Sequence, residues 1–279
     1  MGDLTRFEIL PFARGEQEAA ALPEPVRLTV TCSPARGLDQ SVDLAIRLRD
    51  LGHVVTVHLA ARMVRDRAHL DRVLADLAQA KVDDAFVIAG DAPTPLGPYG
   101  CALELLSDLY PHPNRPRMLG IAGYPEGHPK IAQDALVFAL TEKARLASYV
   151  TTQLCFNPDV LVSWIRSVRA SGLVLPVIVG LPGLVEGRRL LEIAVRVGVG
   201  SSLAFLRKQV GIGNLLGLSS SSVERLHKAL SPLLSDRSLD IGGFHYFTFN
   251  RLLESWRWAQ GLTRHNSGDV STQSEVTTR

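Results

Sequence analysis

A chain of 279 residues, 46% hydrophobic and 21% charged, carries enough apolar side chains for one large globular domain or two small ones. Its 30 basic and 28 acidic residues leave a formal charge of +2, with no block of like charge, which argues against nucleic acid or an anionic membrane as main partner. Cys32, Cys101 and Cys155 are scattered and in no CxxC pattern, which speaks against a disulfide framework or thiolate zinc site and fits a reducing cytoplasm; MGDLTRFEILPF lacks the basic flank and apolar run of a secretory segment.

Short β-rich runs recur along the chain. They are RFEILPF from Arg6, VRLTVTCS (26–33), HVVTVHLA (53–60), DAFVIAGD (84–91), RMLGIAGYP (117–125), YVTTQLCF (149–156), LPVIVGLPG (175–183) and FHYFTFN (244–250). Residues 13–25 read as a loop or short helix. Leu70, Val73, Leu74 and Leu77 fall at helical spacing, and PDVLVSWIRSVRASG ends on Gly172 as a capped helix would. The long stretch between the last two strands predicts two or three helices, around 187–198, 201–210 and 220–235. Residues 263–279 are polar and without periodicity, the pattern of a disordered tail.

Near-continuous apolar strands alternating with helices predict a parallel sheet covered on both faces. Eight such units in 1–262 fit an α/β fold of the (β/α)8 TIM-barrel type, a single domain with extra helices between strands seven and eight. No GxGxxG follows a strand, so the open doubly wound sheet is the poorer reading.

In such a barrel the site lies at the C-terminal ends of the strands, so polar residues ending apolar runs are the candidates. They are Glu8, Thr31, His58, Asp91, the loop Tyr124–His128, Gln153 and Asn250. Each has a plainer reading as a cap or turn partner. Alternation in RFEIL turns Glu8 into the barrel, where a carboxylate without a partner is costly; it is either an acid for catalysis or half of a core ion pair with an inward arginine. Asp91 precedes APTP, whose prolines delay any helix it could cap. The histidines show no HxH or HExxH spacing, which disfavours a metal, and none of the five lysines ends a strand, which disfavours Schiff-base chemistry. GYPEGHP (123–129), with two prolines and a glycine after an apolar run, reads as a shaped loop.

The rim motifs in this order, FEILPF, VTC, VHL, AGD before proline, YPEGHP, TTQLCF, GLPG and FHYFTFNR, resemble the 5,10-methylenetetrahydrofolate reductases, whose pattern runs FEFFPP, VTY, HL, RGD, YPExHP, ITQxxF, PGI and FHFYTLNR. The resemblance spans roughly residues 6–258. It implies reduction of 5,10-methylenetetrahydrofolate to 5-methyltetrahydrofolate, with Glu8 as general acid and Asp91 beside the pterin and the cation formed on ring opening. It also implies that Asp91, Gln153, Phe156, Asn250 and Arg251 contact the folate, while Thr31, His58, Tyr124, His128 and Gln153 contact the redox cofactor. Flavin-holding members carry arginine, tyrosine and threonine where this chain has Ala89, Cys32 and Ala60, and polar contacts on the helix after YPExHP, where IAQDALVFALTEKARLA offers only Lys143. The resemblance therefore points to the branch without FAD, in which NADH or NADPH gives hydride directly. The expected partners are a folate and a nicotinamide nucleotide, with no nucleic acid, no membrane and no metal, and an oligomer is left open. The alternatives are an FAD-dependent reductase and a folate-binding barrel without catalysis.

Overall fold

In the computed structural model, which describes residues 4–184 and 220–268, all eight apolar runs form strands. These are β1 (Arg6–Ile9), β2 (Arg27–Val30), β3 (Val54–Ala60), β4 (Asp84–Ile88), β5 (Met118–Gly123), β6 (Tyr149–Thr152), β7 (Val177–Pro182) and β8 (Ile241–Phe247). Each pairs in parallel with its sequence neighbour, and β8 returns to β1 to close the barrel. Helices α1 (Ala13–Ala20), α2 (Gly37–Asp50), α3 (Arg67–Gln79), α4 (Ala102–Leu109), α5 (Gln133–Ala144), α6 (Pro158–Ala170), α7 (Ser220–Leu230) and α8 (Leu252–Gly268) form the outer layer. The expected (β/α)8 barrel is the fold.

Strand alternation sets what each face holds. Leu28, Val30, Val55, Val57, Leu59, Val87, Leu119, Ile121 and Val150 are buried in the core between sheet and helices. The intervening positions of β1, β3, β4, β6 and β8 carry Arg6, Glu8, Thr56, His58, Asp84, Phe86, Tyr149 and His245 into the interior. Local signals make the helices. Leu70, Val73, Leu74 and Leu77 form the buried stripe of α3, whose N-cap Asp66 accepts the His69 N–H at 2.7 Å. Pro158 opens α6 beside its Asn157 cap, and Gly172 follows its end with φ +90°, where only a residue without Cβ is unstrained.

The stretch 13–25 contains a true helix, α1. Of the two or three helices expected between strands seven and eight, the one around 220–235 is α7 with a 3-10 turn over Ser231–Ser235; those around 187–198 and 201–210 lie outside the described residues. Helix α8 continues to Gly268, past the position where the polar tail was expected to begin; 269–279 lie outside the described residues. No helix among the described residues is long and apolar enough to cross a membrane.

Candidate active site

The floor of the barrel is closed by a buried ionic knot. Arg6 Nη1 donates to Thr56 Oγ1 at 3.0 Å, to Asp84 Oδ2 at 3.2 Å and to the Tyr149 hydroxyl at 2.8 Å. Thr56 and Tyr149 in turn donate to the two oxygens of Asp84, each at 2.7 Å. Four strands thus supply one network in which every charge has partners, the condition under which a buried pair is tolerated. The Tyr149 ring needs the space above Gly120, where a Cβ would lie 2.3 Å from Cζ. The inward arginine that could have neutralised Glu8 is therefore engaged by Asp84.

One layer higher, Glu8 meets two imidazoles. Its Oε2 lies 3.2 Å from His245 Nε2, within hydrogen-bond distance, and 3.8 Å from His58 Nε2. The Glu8 side chain is 13% exposed, so it is sheltered yet open toward the mouth. His58, against the Phe86 ring at 4.9 Å, is pushed by burial down to about 4, with His245 and Arg6 acting in the same direction against Glu8, and is neutral at pH 7. The site residue that sequence reasoning left without a role is His245; its inward place in FHYFTFN, two residues from Phe247 on the same face, was the available signal.

The turn after β8 holds this layer in place. Thr248 Oγ1 donates to the Glu8 carbonyl, and Asn250 Oδ1 accepts the Leu10 N–H at 2.8 Å. Phe249 and Asn250 take left-handed φ values of +51° and +61°, a conformation asparagine adopts more readily than most residues. The Asn250 amide oxygen is thus occupied by the backbone of β1, and Arg251 pairs with Glu254 three residues on.

Asp91, Tyr124 and His128 form a second group at the rim. Asp91 is exposed. Tyr124 and His128 meet edge to face, ring centroids 5.3 Å apart, across a turn with Pro125 second and Gly127 fourth, closed by Gly127 N–H to the Tyr124 carbonyl at 3.1 Å. Burial and then the Asp91 charge raise the Tyr124 phenol; burial and Lys130 lower His128 against the pull of Asp91. Gln153 uses its Oε1 to accept the Leu154 N–H at 2.9 Å. Phe156 is buried in the core, and the Thr31 hydroxyl, buried just past the end of β2, has no hydrogen-bond partner among the described residues.

Ala60, Ala89 and Cys32 come together at the ends of β2, β3 and β4. Ala60 is fully buried, and Gly90, at φ +85°, sits where its Cβ would lie 2.9 Å from that of Ala60. Cys32 Sγ lies 3.6 Å from Met63 Sδ, and burial raises its thiol to about 11. Ala60 and Gly90 pack closely here, and the Cys32 thiol has the Ser41 hydroxyl and the Ala60 backbone as polar neighbours. Among the described residues, no group of three or more His, Cys, Asp or Glu could hold a metal ion.

The barrel resembles a solved structure of an uncharacterized protein from Clostridium thermocellum that binds two copies of 5-methyl-5,6,7,8-tetrahydrofolic acid, with a TM-score of 0.63, 14% identity and 96% of each chain covered. At that identity the likeness establishes the fold. Methylenetetrahydrofolate reductase 2 of Saccharomyces cerevisiae is 25% identical over 174 residues, 58% of this chain and 29% of its own length. Methylenetetrahydrofolate reductase 1 of Schizosaccharomyces pombe is 32% identical over 82 residues, 29% of this chain and 14% of its own length. The chain thus spans under a third of the curated relatives it matches. The family model for methylenetetrahydrofolate reductase matches residues 15–205, more than half of the chain, and covers strands β2 to β7 with the rim groups they carry; the chain belongs to the methylenetetrahydrofolate reductase family.

Proposed function

We propose that this barrel reduces 5,10-methylenetetrahydrofolate to 5-methyltetrahydrofolate by direct hydride transfer from NADH or NADPH. The observation that carries the reading is Glu8, a sheltered carboxyl one layer below the mouth, flanked by His245 and a neutral His58. Protonated Glu8 gives its proton to N10 of the folate, the bond from N10 to the bridging carbon breaks, and an iminium cation forms at N5. Hydride from the nicotinamide then reduces that carbon to a methyl group. The Glu8 carboxylate left behind keeps the His245 N–H as donor, which stabilises the ionised form until solvent returns a proton. Asp91, on the same rim, opposes the positive charge of the iminium.

The short side chains of Cys32, Ala60 and Ala89, with Gly90 packed on Ala60, support a reductase without bound flavin. A flavin diphosphate and ribityl chain need cations and hydrogen-bond donors, and these side chains supply neither. The test is anaerobic. Purified protein without flavin absorbance, given NADH or NADPH and methylenetetrahydrofolate, should oxidise one nucleotide per methyl product formed. Stoichiometric flavin released on denaturation would refute the direct-transfer reading.

A second reading has one observation behind it, the folate bound by the Clostridium thermocellum neighbour. A barrel that only holds folate would bind 5-methyltetrahydrofolate and oxidise no nucleotide in the same assay.

A further inference from the structure

Three large apolar side chains left exposed on the barrel fall together on one element. Ile131, just before α5, and Val137 and Phe138, in its first half, are 42%, 49% and 65% exposed. Single exposed apolar residues are ordinary on a surface, whereas a cluster marks a contact. At 3.6 residues per turn α5 has two opposed faces. Leu140 packs on the core and Lys143 is buried on the side that rests on β5 and α4, while Asp134, Phe138 and Arg145 fall on the opposite side and are exposed. A surface helix ordinarily turns polar residues outward, so Phe138 is out of place on a free helix.

The charges on this outer face have an order. Asp134 stands in the first turn, Arg145 caps the end, and Phe138 lies between them. A two-fold interface needs a patch that is complementary to itself, and a stripe that reads acid, apolar, base becomes base, apolar, acid when it is reversed. Halfway between Asp134 and Arg145 come Ala139 and Leu140, so an axis that pairs the charges passes beside Phe138. Ala135, exposed next to it, has no bulk to hold a second helix away. Glu142 takes Arg145 Nη1 at 3.2 Å and steadies a guanidinium that has further donors to give. An acid at the start and a base at the end also suit the helix dipole, which accounts for the two charges but not for the phenylalanine exposed between them.

We propose that α5 is the contact between two copies of this chain, laid antiparallel about a two-fold axis near Ala139, with the two Phe138 rings packed at the centre and Asp134 at each end facing Arg145 of the partner subunit. The face is on the outside of the barrel, so the pairing stands or falls independently of the reductase reading.

Sedimentation equilibrium of the full chain, loaded from about 1 µM to about 200 µM, should show the mass of one chain rising toward that of two, the range set by a small interface. Phe138→Glu should hold the protein at the mass of one chain throughout. Asp134→Arg and Arg145→Asp should each weaken association by about tenfold or more, because the two-fold axis sets like charges together at both ends. The two substitutions combined exchange the charges and should restore association to within about threefold of the native chain. Association of Phe138→Glu like that of the native chain, or a double variant no stronger than the single ones, would overturn the proposal. A single-chain mass for the native protein at every loading would overturn it as well and leave the face to a partner of another kind.

Discussion

Glu8 is separated from the solvent-exposed carboxylates by its neighbours. A proton donor is worth about a hundred- to ten-thousand-fold in rate, so Glu8→Gln, which keeps shape and loses the proton, should lower turnover by that factor while folate affinity changes little. Steady-state turnover beside a direct folate titration checks this; near-full turnover would leave Glu8 as a structural partner of His245. Asp91 makes a different prediction, because it is exposed at the rim and acts through charge. On the proposed reaction, Asp91→Asn should slow single-turnover NADH oxidation more than it weakens folate binding, since the cation exists only after ring opening. His58 governs stability. Its value falls from 6.5 in the open chain to about 4 in the fold, so the unfolded chain binds the proton first. Stability is then full above about pH 6.5 and falls as the pH drops from there toward 4, by about 3 kcal/mol in all from this group. His53, His128 and His227 are also lowered by burial and act in the same direction. Urea unfolding at pH 7 and pH 5 reads the slope, and His58→Gln should flatten it.

At the scale of elements, the helices rest on local signals and the site rests on connections. Helix α3 begins at Asp66, whose side chain takes the His69 N–H; Asp66→Ala should cost about 1 kcal/mol in unfolding free energy with no effect on the barrel mouth. The turn after β8 is a different case. Its Asn250 looks like a rim ligand in the sequence, and the structure engages it, together with Thr248, with the backbone around Glu8. Strand alternation tells which face a side chain takes, but a hydrogen bond between residues 240 apart is invisible until β8 lies beside β1. The loop GYPEGHP was legible as a shaped turn, because proline and glycine restrict the backbone locally. That its Tyr124 and His128 rings touch, and that both feel Asp91 from the preceding loop, required the β4–β5 pairing.

At the scale of the whole molecule, the barrel is tied across its floor by Arg6, Thr56, Asp84 and Tyr149, drawn from β1, β3, β4 and β6. Removing one partner leaves a buried charge uncompensated, so Asp84→Leu should destabilise by roughly 3–5 kcal/mol. The double replacement Arg6→Met with Asp84→Leu removes both charges and should recover a large part of that loss, which denaturant unfolding of the two variants would measure. Equal destabilisation by the single and double variants would mean that packing, and not the charge, holds the floor.

What the sequence determined by itself is the order and kind of the elements: eight apolar runs, each followed by a helical pattern where the chain is described, specify a parallel barrel because period and punctuation are local properties. It determined as well that Glu8 faces inward, since alternation along RFEIL leaves it no other face. Only the tertiary structure decided which inward charges meet. Arg6 and Glu8 lie two residues apart on one strand, yet Arg6 is taken by Asp84 and Tyr149 in the floor, and Glu8 by His245 in the layer above. The choice depends on the stagger of strands distant in sequence, which brings side chains of similar depth together and keeps neighbours in the chain apart.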